Sequence, residues 1–394
     1  MRLLVGWDAE EELDLLCLYL QVDDNLVDVA KTTAELFARA QAEHYDAILF
    51  PITFPDADQA FELFEKLQRL DSSLPVMVAN RPGEIYPLSR FIRHGLRSYI
   101  LRDDDKEYLF LLQTLIESTL TAKRAEQMRY LAERLREEVE SVRKLQESIL
   151  PRDLRAIARY QVAARYEPSQ IRVSHGQPVV LAGGDYYHVF RLENRRMVAL
   201  VGDASGHGMK ACMSIISMHT LINQFHEGHQ RPPHEFVAEI NRKLCSDDLI
   251  TGEGGFITLL YGFVEDDVFH WTSAGHPVPL LHQLDSGEFV ELGDLRNDTG
   301  APLGLFEESD YQTISSPIPP QARVLIYTDG LVEAFPDRPS PPEFGIGGVK
   351  RILAEHRSAP LSKTLAALLD ASSAFTEGAG RHDDTSLLMF ERTS

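Results

Sequence analysis

Met197-Val198-Ala199-Leu200-Val201-Gly202-Asp203-Ala204-Ser205-Gly206-His207-Gly208 is an apolar run that stops on an aspartate inside a glycine-rich turn. A short apolar run bounded by turn residues reads as a buried strand. Its end then presents the Asp203 carboxylate at a sheet edge. Three further segments carry the same signal: Gly183-Gly184-Asp185-Tyr186-Tyr187, Tyr327-Thr328-Asp329-Gly330 and His382-Asp383-Asp384-Thr385. One acid beside a glycine is an ordinary turn. Four of them at strand ends imply more, because gathered carboxylates repel unless cations neutralise them. An all-oxygen donor set suits a hard ion such as Mg²⁺ or Mn²⁺.

Around these segments, residues from about 158 to 394 read as strands broken by glycine turns. Candidate strands are 197–201, 256–263, 268–271, 278–283, 289–291, 324–327 and 385–390, with helices near 210–225, 234–246 and 361–377. Hairpin-rich strands with segregated helices predict an α+β layered sandwich. The stretch 336–342 is proline-rich and reads as a loop.

The N-terminal part has a different rhythm. Short apolar runs at 3–6, 26–30, 47–50, 76–79 and 98–101 alternate with amphipathic stretches at 10–20, 34–42 and 59–70. That alternation predicts a parallel sheet with helices on both faces. Residues 105–150 then contain neither proline nor glycine and are rich in good helix formers. Such a helix would be roughly 65 Å long. Met128, Leu131, Leu135, Val142, Leu145 and Ile149 fall on a/d heptad positions, with Glu138 spoiling one, and Pro151 ends the run. The stripe fits a parallel dimer seam or a face packed on its own domain. The chain is thus multidomain, with expected boundaries at 1–118, 119–152 and 153–394.

Composition narrows the function classes. Aspartate and glutamate total 60 against 39 lysine and arginine, a formal charge of −21 that argues against nucleic-acid and anionic-membrane partners. No apolar run approaches the ~20 residues of a membrane span. The N-terminus runs straight into Gly6 and acids, unlike a signal peptide. Cys17, Cys212 and Cys245 lack zinc-ligand spacing and read as packing residues in a reducing cytoplasm.

The N-terminal pattern resembles a flavodoxin-like response-regulator receiver in scaffold but not in chemistry. Where that family places its phosphoacceptor aspartate, after the third strand, this chain has Pro51. The hydroxyl position is Ala79, the lysine position lies near Arg102, and the acidic pair after the first strand is reduced to Asp8. Thr53 and Asp56 read as loop residues before a helix rather than substitutes. The resemblance implies a pseudo-receiver that senses a partner or a packing state.

The C-terminal half resembles the PPM-type metal-dependent serine/threonine phosphatases, in the bacterial sporulation and general-stress (SpoIIE-like) branch. The four acidic segments are joined, in order, by Leu145-Gln146-Glu147-Ser148-Ile149-Leu150-Pro151, Phe256-Ile257-Thr258-Leu259-Leu260-Tyr261-Gly262, Thr272-Ser273-Ala274-Gly275-His276-Pro277 and Ala301-Pro302-Leu303-Gly304. The resemblance implies two Mn²⁺ or Mg²⁺ ions bridged by Asp185 and Asp203, with the Ala204 carbonyl as a further ligand. Asp329 and Asp383 would complete one ion's shell, and Asp384 would support a ligand or serve as a turn residue. His207 and His276 read as structural, Tyr186 and Tyr187 as packing and rim residues. Two departures stand out: His188 where the family carries a second acid, and a long approach at 170–181 that could form a hairpin. The implied substrate is a phosphorylated STAS-type regulator, the implied assembly a homodimer through 120–150. The competing reading is a catalytically dead phosphatase fold acting as an adaptor, which would be expected to have lost the ligand set this chain keeps.

Overall fold

Along β1 (Arg2–Gly6), β2 (Leu26–Ala30), β3 (Ala47–Pro51), β4 (Val76–Asn80) and β5 (Ser98–Leu101), successive apolar residues face opposite sides. Leu4, Ile48 and Phe50 enter one core with Phe61, Phe64 and Leu67. Leu3, Val5 and Leu49 enter another with Leu16, Leu112 and Ile116. A sheet buried on both faces needs helices on both, and α1 (Glu10–Leu20), α2 (Thr33–Ala42), α3 (Ala57–Leu70), α4 (Ile85–Arg93) and the first turns of α5 (Tyr108–Ile149) supply them. All five strands are parallel, in the order β2-β1-β3-β4-β5. The mixed α/β reading holds. Helix α4 escaped it because Pro87 disguises it, although proline is tolerated in a first turn.

This computed structural model describes residues 1–394 apart from 8, 23, 104, 152–153, 155–158, 172–178, 181, 193–195, 207, 226–230, 247–253, 339–341 and 393–394. Its contacts divide into two units, Met1–Arg134 and Leu135–Ser394, so the division falls inside α5 and inside the 119–152 stretch. Met128, Leu131, Leu135 and Leu145 on this helix are exposed, whereas Gln146 and Leu150 are buried. Among the described residues no helix is long and apolar enough to cross a membrane.

At the carboxyl edge of the first sheet, Pro51 is buried at the end of β3. Asp56 caps α3, accepting hydrogen bonds from the amides of Asp58 and Gln59. Arg102 is buried, 2.7 Å from the Glu12 carboxylate and 4.5 Å from the centre of the Trp7 ring. The Trp7 indole and the Tyr108 hydroxyl each donate to the same Glu12 oxygen at 3.2 Å. Asp8 lies outside the described residues.

The second unit contains β6 (Tyr160–Glu167), β7 (Gln170–Ile171), β8 (Val179–Val180), β9 (Asp185–Arg191), β10 (Met197–Ala204), α6 (Met209–Gln224) and α7 (Pro233–Cys245). It continues with β11 (Ile257–Glu265), β12 (Val268–Ala274), β13 (Leu280–Gln283), β14 (Phe289–Glu291), β15 (Thr299–Gly300), β16 (Ile314–Pro317) and β17 (Ala322–Tyr327). Helices Gly345–Glu355 and Leu361–Phe375 precede β18 (Thr385–Arg392). One sheet runs β15-β12-β11-β10-β9, with β16 beside β12; the other runs β14-β13-β17-β18-β6. Val324, Ile326, Leu388 and Phe390 face the first sheet, while Leu325, Tyr327, Leu387 and Met389 face the last two helices. Helices α6 and α7 cover the other outer face through Ile215, Met218, Phe236 and Ile240. The expected α+β sandwich is therefore four layers deep. The approach at 170–181 pairs as an antiparallel hairpin at its described ends, Gln170 with Val180 and Ile171 with Val179.

A polar latch joins the two sheets at one end. Asp266 and Asp267 form the two-residue turn between β11 and β12 with φ of 47° and 62°, a left-handed conformation aspartate tolerates. From it Asp267 accepts the Tyr160 hydroxyl of β6 at 3.1 Å and pairs with Arg392 of β18 at 2.5 Å. Asp267→Ala is expected to lower unfolding free energy by about 1–2 kcal/mol, since it leaves a part-buried hydroxyl and an arginine unpaired. A urea titration comparing the two midpoints checks it.

Candidate metal centre

Strand register brings the first two aspartates together. Asp185 opens β9 and Asp203 nears the end of β10, and the two are direct antiparallel partners, so their side chains share one face. The Ala204 amide donates to the Gly184 carbonyl at 2.8 Å. The glycine at 184 is required by space: a Cβ there would stand 2.6 Å from the Ala204 carbonyl oxygen and 3.2 Å from an Asp203 carboxylate oxygen. Asp329 follows β17 of the other sheet, and Asp383 precedes β18 beside it. These two strand ends are locked, since a Cβ on Gly330 would lie 2.0 Å from the Asp384 carbonyl oxygen. The four acids therefore come from both sheets to the same end of the sandwich.

Electrostatics record the crowding. Burial, then Asp203 and Asp384, hold the Asp185 carboxyl well above the usual carboxylate range. Burial, then Asp329, Asp383 and Asp384, push Asp203 up to about 8. Burial and Asp383 raise Asp329. Among the described residues no three His, Cys, Asp or Glu side chains already stand at metal-ligating geometry. The carboxylates are electrostatic neighbours without being convergent ligands. The two observations agree if protonation, rather than a shared cation, relieves the repulsion in this arrangement. The donors are hard oxygens, several of them buried, and the Gly184 cradle leaves the Ala204 carbonyl uncrowded, so the set fits divalent Mg²⁺ or Mn²⁺.

Neutral and charged groups fix the backbone around this cluster. The Thr328 hydroxyl donates to Asp185 at 2.8 Å and accepts from the Ser386 amide at 2.8 Å. Asp384 is buried, and its two oxygens accept the amides of Ser169 at 2.7 Å and Gly184 at 2.6 Å. It thus clamps the start of β18 to the glycine pair before Asp185. Gln146, fully buried in the last turn of α5, does the same from another side. Its side chain accepts from the Gly183 amide at 2.8 Å and donates to the Asp185 carbonyl at 3.1 Å. The roles of Gln146 and Thr328 are invisible in sequence, where each is one polar residue within a motif. Glu333, one turn beyond Asp329, extends the acidic rim: burial, then Asp329, Glu343 and Asp383, raise its carboxyl.

Other candidates fall away from the cluster. Tyr186 and His188 point to the opposite face of β9 from Asp185, where the Tyr186 hydroxyl meets His219 Nδ1 at 2.6 Å and the His188 ring packs 5.0 Å from Phe190. His188 therefore does not occupy a ligand position beside Asp185. His276 is fully buried, its Nδ1 is 2.9 Å from the Thr258 hydroxyl, and burial lowers it to about 3, which suits a neutral loop-orienting role. His207 lies outside the described residues.

The raised carboxyls make stability depend on pH. A carboxyl whose folded pKa exceeds its unfolded value favours folding most below the unfolded value, and that contribution is lost as pH rises through the folded one. For Asp203 the window runs from about 4 to about 8. In chelator, the melting temperature is expected to fall between pH 5.5 and 8.5, and millimolar Mn²⁺ at pH 8.5 to restore it. Melts across that series with and without metal are the check, and a flat chelator profile would contradict it.

Comparison with known proteins agrees with this architecture. The chain is 30% identical over 156 residues to the phosphoserine phosphatase RsbP of Bacillus subtilis, covering 38% of this chain and 36% of that one. It is 25% identical over 231 residues to the protein IcfG of Synechocystis, covering 50% and 33%. It thus spans about a third of the length of these relatives. Among solved structures, the SiaA-PP2C domain of Pseudomonas aeruginosa superposes with a TM-score of 0.54 at 18% identity, over 66% of this chain and 98% of that domain, a likeness of fold. The sequence model of the stage II sporulation protein E family matches residues 193–393, just over half of the chain, which spans β10 with Asp203, Asp329 and Asp383; the chain belongs to the SpoIIE family.

Proposed function

We propose that this chain is a Mn²⁺- or Mg²⁺-dependent protein phosphatase that hydrolyses phosphoserine or phosphothreonine on a partner protein. The observation that carries the reading is the meeting of Asp185, Asp203, Asp329 and Asp383 from two sheets at one end of the sandwich. Asp185 and Asp203 would bridge two ions, the Ala204 carbonyl would add a ligand, and Asp329 with Asp383 would complete one shell. Two such ions supply positive charge for phosphoryl oxygens and lower the pKa of a water molecule. The chain's own part is positional. Thr328 orients the Asp185 carboxylate, Asp384 and Gln146 hold the backbone on both sides of Gly184, and the Gly184 cradle keeps the Ala204 oxygen accessible. The name of RsbP, a phosphoserine phosphatase, supports serine as the phosphorylated residue. A STAS-type regulator in the cytoplasm is the substrate class we favour.

Asp203→Asn keeps shape and removes the charge that would bridge two cations. Manganese-dependent release of phosphate from a phosphoserine protein is expected to fall by at least about a thousandfold, with the circular dichroism spectrum unchanged. An unsubstituted, folded chain that releases no phosphate at saturating Mn²⁺ would instead support the adaptor reading.

We also infer that the first unit is a non-phosphorylatable pseudo-receiver and that α5 joins two copies of the chain. Pro51 has no nucleophilic oxygen, and the Arg102 guanidinium is committed to Glu12 and Trp7. Leu131 and Leu135 are 53% and 59% exposed on the heptad stripe, which supports a seam covered by a second copy. Replacing both with glutamate is expected to convert a dimer into a monomer in sedimentation velocity; an unchanged sedimentation coefficient would remove the seam from the proposal.

A further inference from the structure

The turn after β15 presents two large apolar side chains to solvent: Leu305 is 40% and Phe306 62% exposed. Exposed apolar residues on a slack loop carry little meaning, but this turn is held rigidly. Asn241 of α7, almost fully buried, accepts the Gly304 amide at 2.9 Å. Its amide nitrogen donates to the carbonyls of Phe306 at 2.8 Å and Glu307 at 3.2 Å. A buried amide is thus spent on fixing the backbone of a surface turn, which lowers the entropy cost of using that turn in a contact.

Register places the turn beside the acidic cluster. Leu303 exchanges both backbone hydrogen bonds with Ile257, at 3.0 and 2.8 Å. Ile257 is in turn the strand partner of Ala204. Two strand spacings, roughly 10 Å, therefore separate Leu303 from Ala204. Leu305 and Phe306 follow two and three residues later, on the same end of the sandwich as Asp203. Glu307, Glu308 and Asp310 adjoin them and are exposed.

We propose that Leu305 and Phe306 form a docking rim for the phosphoprotein substrate, gripping an apolar patch with neighbouring lysine or arginine next to the phosphorylated residue. The occupant's apolar half follows from the two side chains and its basic half from the three acids beside them. The site is continuous with the carboxylate cluster, so one partner reaches both. This inference rests on the phosphatase reading and names how that site selects its substrate.

The test uses the full chain with Mn²⁺ and three probes. One is p-nitrophenyl phosphate, too small to reach the rim. The others are two 17-residue phosphoserine peptides, long enough on each side to cover about 20 Å at ~3.3 Å per residue. One carries leucine and arginine at four to seven residues on both sides of the phosphoserine, the other serine and glutamate. The unsubstituted chain is expected to favour the apolar-basic peptide. Leu305→Ser with Phe306→Ser is expected to lower its kcat/KM for that peptide, relative to p-nitrophenyl phosphate, about tenfold, through KM. Asn241→Ala, if folded by circular dichroism, should move the same ratio the same way. An unchanged ratio in the double variant overturns the docking rim while leaving the phosphatase reading intact. No turnover of p-nitrophenyl phosphate by the unsubstituted chain overturns both.

Discussion

Burying like charges side by side is the constraint on which the second unit is built. Asp185 and Asp203 face one another across neighbouring strands, Asp329 and Asp383 approach from a second sheet, and burial removes the water that would screen them. Left alone, such a cluster pushes its strand ends apart. The surrounding structure answers with fixed connections: Thr328 on the carboxylate, Asp384 and Gln146 on the backbone, and a glycine wherever two loops touch. The latch at Asp267 secures the sandwich by other contacts. The sheets are thus tied so that a repulsive end can exist.

Much of this was legible in sequence because the signals were local. Strand β10 is an apolar run that ends at its functional acid, and helices α1 and α7 follow their amphipathic periods almost to the residue. What escaped lacked a local signal. Helix Gly345–Glu355 carries three glycines and forms because Val349, Ile352 and Leu353 pack on the sheet. Strand β6 mixes Gln161 and Arg165 with small apolar residues because it lies at a sheet edge. Gln146 looks like one more polar residue of a charged helix, and nothing near it in sequence announces that its partners are Gly183 and Asp185. Asp384 left two readings open for the same reason; its partners are Ser169 and Gly184, some two hundred residues away.

The first unit shows the opposite design. The edge where a doubly wound sheet usually keeps its reactive groups is filled with satisfied ones. Glu12 receives hydrogen bonds from Trp7, Tyr108 and Arg102, and Arg102 lowers its pKa further once burial is counted. Pro51 closes the neighbouring strand. One unit has converted its carboxyl edge into packing, while the other keeps its acids at considerable electrostatic cost.

The two amides held by Asp384 have a consequence for reading mutational scans. An asparagine there matches the aspartate in shape, yet its amide group would turn a donor toward one of two backbone donors. The glycine pair before Asp185 would then lose its anchor even if every metal-binding group were intact. Loss of function at Asp384 and loss at Asp203 would look alike in an activity screen and arise from different physics, one a broken clamp and the other a missing charge. A carboxylate's indispensability is therefore no measure of its distance from the chemistry.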